Sequence, residues 1–413
     1  MKSFSLNGKN RPSRIIAILA LILFSTVVLG GGCTAFTALE DKNDEQDPVL
    51  WLLIQIGLAP DAGDYYAKLY YVDPLIVTNP TNSDLIHEAT AADVTAVRKK
   101  LVIVHGWHGD DPENPSFPYI SPVSLKDRVL AQNWSDLFDQ NVKGTSPTNL
   151  HGVFKSWWWV DPAQITPDAG TNYDVYAFDY LTSRGIMANG VRFRAAMDAL
   201  FSGETGTVYI YANSMGGLVT RAAIYEGATP AYVAKVVTTG TPHHGSPWAS
   251  PEFQQDVGPL GSLAAFFTTT TGGQDLRFDN YDGSLPGASN PMLTALNANT
   301  DRDSLFVLYY GSAIYIDPTT LPLPNDSNQT FILACNTTNT AFSGTFGPSD
   351  CIVPRKSARF DGHTTTTAPL VDPGTGTVGD YGAYDHSDIK LGGNTTSTYL
   401  LDAYSQILIQ EFP

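Results

Sequence analysis

Basic residues are scarce in this chain of 413 residues. It contains 24 Lys and Arg against 41 Asp and Glu, which gives a formal net charge of −17 at pH 7. Such a charge repels phosphate backbones and anionic lipid surfaces, so it excludes nucleic acid as a partner. Charged residues of both signs make up only 16% of the chain and hydrophobic residues 43%. These proportions exclude a disordered chain and predict a globular one with a sizeable core.

Cysteine is scarce as well, and internal repeats and heptads are absent. The three cysteines, Cys33, Cys335 and Cys351, are an odd number, which in an exported chain leaves one thiol outside any disulfide pairing.

Length alone suggests two or three domains, but an α/β fold with insertions often runs this long as one.

The N-terminus has the order of an export signal. Four basic residues precede an apolar run over residues 15–29, and three glycines and Cys33 follow it. This order predicts a signal peptide over residues 1–32. The run is short for a membrane span, which needs about 20 residues. We expect residues 33–60 to form a polar tether and an apolar segment, and residues 61–413 to form the folded domain.

One turn organises the rest of the chain. Residues 208–211 are β-branched and aromatic and predict a short buried strand, and the apolar residues that follow recur at helical spacing. Ser214 lies at the apex of the sharp turn between them, flanked by Ala212, Gly216 and Gly217. Small neighbours relieve the crowding of a strained turn that lifts the Ser hydroxyl above the sheet.

This turn resembles the nucleophile elbow, G-x-S-x-G, of the α/β-hydrolase superfamily, with Ala212 at the first position. Two further motifs resemble bacterial secreted lipases of the triacylglycerol-lipase type: His105-Gly106-Trp107 after a predicted strand at 101–104, and residues 239–247, which contain Gly-Thr-Pro-His-His-Gly. The resemblance implies an α/β-hydrolase fold, with a mostly parallel central sheet flanked by helices and a lid or cap insertion.

The order of predicted elements agrees with that fold. Strands predicted at 173–180, 232–237 and 305–310 alternate with helices, one of them at 190–201, and such alternation predicts a parallel sheet with right-handed crossovers. Residues 249–302 interrupt this alternation of strands and helices. Because long irregular segments are often lids or binding loops, we interpret this insertion as a lid, with its apolar patch at residues 260–267.

A serine nucleophile needs a base, and the base needs an orienting carboxylate. In α/β-hydrolases the chain order is Ser, acid, His, which leaves His363 and His386. His386 shortly precedes a closing helix predicted at 396–412, where bacterial lipases carry their base, so the resemblance implies His386. Histidines excluded or disfavoured by that order are His87, His105, His108, His151, His243 and His244.

The acid is implied by a second turn. Residues 349–354, Ser-Asp-Cys-Ile-Val-Pro, resemble the lipase acid turn D-G-x-V-P, with Cys351 at the usual Gly position. This implies Asp350 as the acid, and a disulfide between Cys335 and Cys351 would brace the turn. Alternative carboxylates in polar loop sequence are Asp361, Asp372 and Asp380.

Cys33 directly follows small residues, an arrangement that resembles the lipobox of bacterial lipoproteins. It implies lipidation of Cys33 and membrane attachment through it, and leaves Cys335 and Cys351 to pair. The other interpretation is an ordinary cleaved signal peptide. In both cases the chain is expected to be exported, as a cell-envelope lipoprotein or a secreted protein.

An oxyanion hole needs two fixed N–H donors. The elbow implies the N–H of Met215, and the H-G-x signature implies that of Trp107, with Gly106 allowing close approach. No cofactor or catalytic metal is expected. Asp388 matches a position used for structural calcium in some secreted lipases, which makes calcium a suggestion only, because no partner carboxylate is evident.

Together these residues predict a carboxylic-ester hydrolase, lipase-like, that acts through an acyl-enzyme on a lipid or another ester. An alternative is a short-chain or polyester esterase, or a deacylase of complex lipids. An alternative from another class is a non-catalytic surface-binding lipoprotein that retains a hydrolase fold.

Overall fold

The computed structural model describes residues 67–73, 83–107, 173–256, 270–311, 349–363 and 366–369, together with His386 and Glu411. The chain divides into two units, Met1–Asp47 and Pro48–Pro413, and every described residue belongs to the second. No helix in the described ranges is long and apolar enough to cross a membrane. Predicted features outside the described residues are the signal peptide, Cys33, the tether, the 260–267 patch, Cys335, Asp388 and, apart from Glu411, the closing helix.

The described strands form one eight-stranded sheet in the order β2-β1-β4-β3-β5-β6-β7-β8. The strands are β1 (Ala67–Val72), β2 (Ile86–Glu88), β3 (Lys99–Val104), β4 (Tyr173–Tyr180), β5 (Val208–Asn213), β6 (Val233–Thr239), β7 (Phe306–Tyr310) and β8 (Thr366–Pro369). β1 pairs antiparallel with β2 and β4, and the pairs from β4 to β8 are parallel. The expected mostly parallel α/β sheet is confirmed.

The helices among the described residues are α1 (Ile186–Phe201), α2 (Met215–Tyr225), α3 (Pro251–Asp256), α4 (Thr271–Gln274), α5 (Pro291–Asn297) and α6 (Arg355–Ala358). α1 joins β4 to β5 and α2 joins β5 to β6, both advancing in the same direction across the sheet. Right-handed crossovers therefore place α1 and α2 on one face. They pack so closely that a Cβ atom on Gly190 would stand 2.4 Å from the Cβ of Ala222.

The core lies between the sheet and these helices. Every residue of β4 is buried, as expected for a strand covered on both faces. Side chains of β3, β5 and β7 meet the inner faces of α1, α2 and α5 in one continuous cluster. Members of this cluster include Val102, Phe193, Ile210, Leu218, Leu293 and Leu308.

Helix α1 begins at Ile186, earlier than the predicted start at Gly190. The first helical N–H, that of Ile186, donates to the Asp275 carboxylate at 2.7 Å. Because the helix terminus is capped from a distant part of the chain, the local sequence carries no cap to mark it.

Part of the predicted insertion is a component of the core. Leu276, Met292, Leu293 and Leu296 are buried in the main cluster, and Asn290 caps α5 by accepting from the N–H of Leu293 at 3.0 Å. Residues 276 and 292–296 of the insertion therefore contribute to the core. A lid at residues 260–267 stays a prediction.

Candidate active site

The topology marks one place for a site. After β3 the chain moves to β4 on one side, and after β5 it moves to β6 on the other, while β3 and β5 lie adjacent with Val104 opposite Ala212. In open α/β sheets, ligands bind beyond the carboxyl ends of strands at such a reversal. The residues beyond these two ends are the loop His105–Gly106–Trp107 and Ser214.

Ser214 lies between the end of β5 and the start of α2, with φ 52 and ψ −128. A positive φ is unusual for a residue other than glycine and indicates stored backbone strain. The Ser214 N–H donates to the Thr239 carbonyl at 2.9 Å, and its own carbonyl accepts from Gly217 at 3.0 Å. These bonds fix the strained turn that the sequence predicts.

Close packing around the elbow leaves no room for a Cβ atom at its glycine positions. A Cβ on Gly216 would stand 2.3 Å from the His105 carbonyl oxygen, and one on Gly217 would stand 2.0 Å from Thr241 Oγ1. A Cβ on Gly106 would stand 2.8 Å from Ser214 Cβ. The three predicted glycines thus let the loop after β3, the elbow and the segment after β6 come into contact.

The structure brings Ser214, His386 and Asp350 together. His386 Nε2 lies 2.8 Å from Ser214 Oγ, and His386 Nδ1 lies 2.7 Å from Asp350 Oδ2. The Asp350 side chain is 1% exposed and that of His386 16% exposed. A hydroxyl, an imidazole and a carboxylate in this order form the chain of groups that activates a serine for nucleophilic attack.

The acid turn, residues 350–353, holds its carboxylate by backbone donors. Asp350 Oδ1 accepts from the N–H of Ile352 at 3.0 Å and from that of Val353 at 2.7 Å, which leaves Oδ2 for the imidazole. Cys351 has φ 86, in the left-handed region that favours glycine. This conformation explains why the pattern that the turn resembles has Gly at this position.

The loop after β3 is tied down by its first residue. His105 Nδ1 lies 2.8 Å from the Gly106 carbonyl oxygen, and the His105 carbonyl accepts from the Tyr180 hydroxyl at 2.8 Å. Trp107 follows, half-buried against the main cluster. Met215 is fully buried. Because it is the first residue of α2, its N–H belongs to the first turn, whose donors have no intrahelical acceptor.

The alternative base and acid are engaged elsewhere. His363 Nδ1 lies 3.0 Å from Asp303 Oδ2, and burial lowers the pKa of His363. Burial, with the nearby Arg221 charge, also holds the pKa of His243 well below its usual value. Asp361 lies 3.6 Å from the Arg359 guanidinium. The other alternative carboxylates, Asp372 and Asp380, lie outside the described residues.

Gly240 belongs to the site, although the sequence pattern assigns no role to it. Gly240, directly after β6, has φ 57, and a Cβ on it would stand 3.1 Å from Asp350 Oδ2 and 3.3 Å from His386 Nδ1. Its place immediately after a predicted strand, within the Gly-Thr-Pro-His-His-Gly motif, is the signal that could have identified it.

Among the described residues, no group of three or more His, Cys, Asp and Glu side chains is arranged to hold a metal ion. Asp388, the residue behind the calcium suggestion, lies outside them. Cys351 is buried at the acid turn, and its expected partner Cys335 lies outside them, so the pairing stays a prediction.

No protein-family model matches the chain. Among solved structures, lipase BlEst2 of Bacillus licheniformis in its mature form is 17% identical with a TM-score of 0.41, covering 77% of this chain and 93% of that one. EstA of Clostridium botulinum is 13% identical with a TM-score of 0.31, covering 77% and 90%. Lipase 1 of Pelosinus fermentans is 14% identical with a TM-score of 0.31, covering 50% and 71%. At these identities and TM-scores the likenesses carry no weight for function.

Proposed function

We propose that this protein is a serine hydrolase of carboxylic esters, of the α/β-hydrolase type. The observation that carries the proposal is the hydrogen-bonded series from Ser214 Oγ through His386 to Asp350, with distances of 2.8 and 2.7 Å. It lies on a strained elbow at the carboxyl edge of a parallel sheet, where such a hydroxyl is presented to substrate.

In the first half of the reaction, Ser214 Oγ attacks the ester carbonyl and His386 Nε2 takes the hydroxyl proton. Asp350 holds the imidazole in orientation and stabilises its positive charge. The N–H groups of Met215 and Trp107 donate to the oxyanion of the tetrahedral intermediate. The intermediate collapses, the alcohol leaves with the proton from His386, and the acyl group remains on Ser214.

In the second half, His386 removes a proton from water as the water attacks the acyl-enzyme. The second tetrahedral intermediate uses the same N–H donors, and Ser214 leaves with the proton returned by His386. The acid product is released and the free enzyme is regenerated. No cofactor takes part in this sequence, and calcium, if bound near Asp388, would have a structural role only.

We propose a lipid ester as the substrate class, supported by the lipase-type motifs around Gly106, Ser214 and Asp350. Short-chain or polyester cleavage, or deacylation of complex lipids, uses the same chemistry and is the alternative. Rates on p-nitrophenyl esters from butyrate to palmitate distinguish them. Rates that rise with chain length support a lipase, whereas activity confined to short chains indicates an esterase. No activity on any ester would favour a non-catalytic binding lipoprotein.

Export, lipidation of Cys33 and pairing of Cys335 with Cys351 are part of the same proposal. They are supported by the order of the N-terminal sequence and by the acid-turn position of Cys351. The mass of the mature N-terminal peptide tests the first two: a diacylglyceryl adduct on Cys33 supports them, and an unmodified residue or cleavage elsewhere contradicts lipidation. A non-reducing peptide map tests the disulfide.

The direct test of the nucleophile is Ser214→Ala. The variant should lose turnover on every ester while its thermal midpoint stays close to that of the wild type, because the hydroxyl contributes little to packing. Retention of substantial turnover by a folded Ser214→Ala protein would contradict the proposal.

A further inference from the structure

The segment that follows β6 is hydrogen-bonded to the acid turn by two of its side chains. We call residues 243–248 the bracing segment. Ser246 Oγ donates to the Ile352 carbonyl at 2.5 Å, and Trp248 Nε1 donates to the Cys351 carbonyl at 2.8 Å. The two carbonyls belong to the residues directly after Asp350, so both bonds act on the turn that carries the carboxylate.

The bond from Trp248 to Cys351 is buried, and the bond from Ser246 to Ile352 is part-buried. Ser246, Trp248 and Cys351 are 3%, 9% and 3% exposed. Where water is excluded, a hydrogen bond is stronger and a lost partner is not replaced by solvent. The bond to Cys351 also supports a residue held at φ 86, a conformation that persists only where its surroundings enforce it.

A second attachment holds the chain just beyond the turn. Ser357 Oγ accepts from the His244 N–H at 3.0 Å and donates to the Gly245 carbonyl at 2.7 Å. His244 Nε2 lies 2.9 Å from the Asp361 carbonyl oxygen. The bracing segment therefore contacts the acid turn before α6, Ser357 within α6 and Asp361 after it. These contacts fix the position of the acid turn relative to β6.

The acid turn in turn positions His386 in two ways. The Asp350 carboxylate holds the imidazole at 2.7 Å, and the Asp350 carbonyl accepts from the His386 backbone N–H, also at 2.7 Å. A displacement of the turn would therefore move both the ring and the backbone of His386 relative to Ser214.

We propose that Ser246 and Trp248 are positioning residues that set the orientation of Asp350, and through it of His386, by holding the carbonyls of Ile352 and Cys351. The proposal rests on the function proposed above, because it assigns an effect on the reaction of Ser214. Both residues belong to the stretch directly after the Gly-Thr-Pro-His-His-Gly motif.

The test uses Ser246→Ala and Trp248→Phe. Ser246→Ala removes the hydroxyl that donates to the Ile352 carbonyl and accepts from the Trp248 backbone N–H. Trp248→Phe removes the indole N–H and keeps a ring against Phe253. Ser250→Ala is the matched control: Ser250 is a buried serine of the same stretch whose Oγ accepts from the Phe278 N–H at 2.9 Å, outside the acid turn. The kcat and KM of each purified variant are measured on p-nitrophenyl butyrate across pH, with active sites counted from the p-nitrophenol burst.

We expect kcat per active site to fall about 10- to 100-fold in both variants with KM nearly unchanged, since small displacements of catalytic groups cost rate rather than binding. The acidic limb of kcat/KM should move to lower pH, because a displaced carboxylate stabilises the imidazolium less. Ser250→Ala should keep the wild-type kcat and limb.

If the two variants keep the wild-type kcat per active site and the wild-type acidic limb, the positioning role is overturned, even if their thermal midpoints fall. If instead Ser214→Ala hydrolyses the ester as well as the wild type does, the proposed function itself fails. The kinetics of the Ser246 and Trp248 variants test the positioning role, and those of Ser214→Ala test the proposed function, so a failure of one is distinguishable from a failure of the other.

Discussion

Gly106 and Ser214 approach so closely that a Cβ atom on Gly106 would stand 2.8 Å from the Cβ of Ser214. The two residues follow adjacent parallel strands, β3 and β5, which end side by side. The approach places the chain that carries the Trp107 N–H beside the proposed nucleophile, as an oxyanion hole requires.

Gly106→Ala should therefore lower kcat by about 100-fold, because the methyl group would push apart Ser214 and the loop that carries the Trp107 N–H. The measurement is steady-state kinetics on p-nitrophenyl butyrate with the thermal midpoint recorded alongside. Gly203→Ala is the control, since a Cβ atom on Gly203 would have no heavy atom of the described residues within 4 Å. Wild-type kcat in a folded Gly106→Ala protein would contradict this account of the loop.

Gly240 allows a second prediction, in which backbone strain and crowding are separated. Gly240→Ala would add strain at φ 57 and place a methyl group 3.1 Å from Asp350 Oδ2. Gly227 has a similar φ of 60, and a Cβ atom on it would meet no heavy atom of the described chain within 4 Å. Both variants should lose about 1 kcal/mol of stability from the strained backbone.

Only Gly240→Ala should also lose activity, by about 10-fold or more, because the added methyl group displaces the Asp350–His386 pair. Urea unfolding measures the strain and kcat per active site measures the displacement. Equal kcat in the Gly240→Ala and Gly227→Ala proteins would show that Gly240 does not control the pair.

Asp275 predicts a pH dependence of stability. Burial raises its pKa to about 7, with the Ile186 N–H and Arg277 acting in the opposite direction. The unfolded chain, with the ordinary value of 3.8, binds fewer protons across this window, so this group makes stability fall as pH rises from about 4 to about 7.

Asp275→Asn removes this titration while its side-chain oxygen still accepts from Ile186. As the pH rises from about 5 to about 8, the free energy of unfolding of the wild type should fall relative to that of the variant by on the order of 2 kcal/mol. Asp282→Asn is the control, because the pKa of Asp282 is lowered and the group is ionised throughout this range in both states. Parallel curves for Asp275→Asn and the wild type would contradict the prediction.

The local parts of the site can be predicted from the sequence. The strand, the elbow around Ser214 and the small residues beside it form one contiguous pattern, because apolar periodicity and a sharp turn are properties of neighbouring residues. Asp350 and His386 follow only from chain order and motif resemblance, and the structure brings them to Ser214.

Contacts between distant segments are what the sequence does not reveal. The early start of α1 depends on Asp275, and the hold on the acid turn depends on Ser246 and Trp248, each about 100 residues from its partner. A serine hydroxyl or an indole N–H has no local signature that names its acceptor. Helix α5 does carry a local signal, because Asn290-Pro291 is an N-cap followed by the residue favoured at the first helical position.

Covalent labelling identifies the nucleophile without relying on a substitution. The folded protein is treated with a fluorophosphonate, which reacts only with an activated serine, and the adduct is located by peptide mass mapping. We predict one adduct per chain, on Ser214, that prevents ester hydrolysis and is absent from Ser214→Ala. A stoichiometric adduct on another residue, or hydrolysis that persists after complete labelling of Ser214, would show that Ser214 is not the nucleophile.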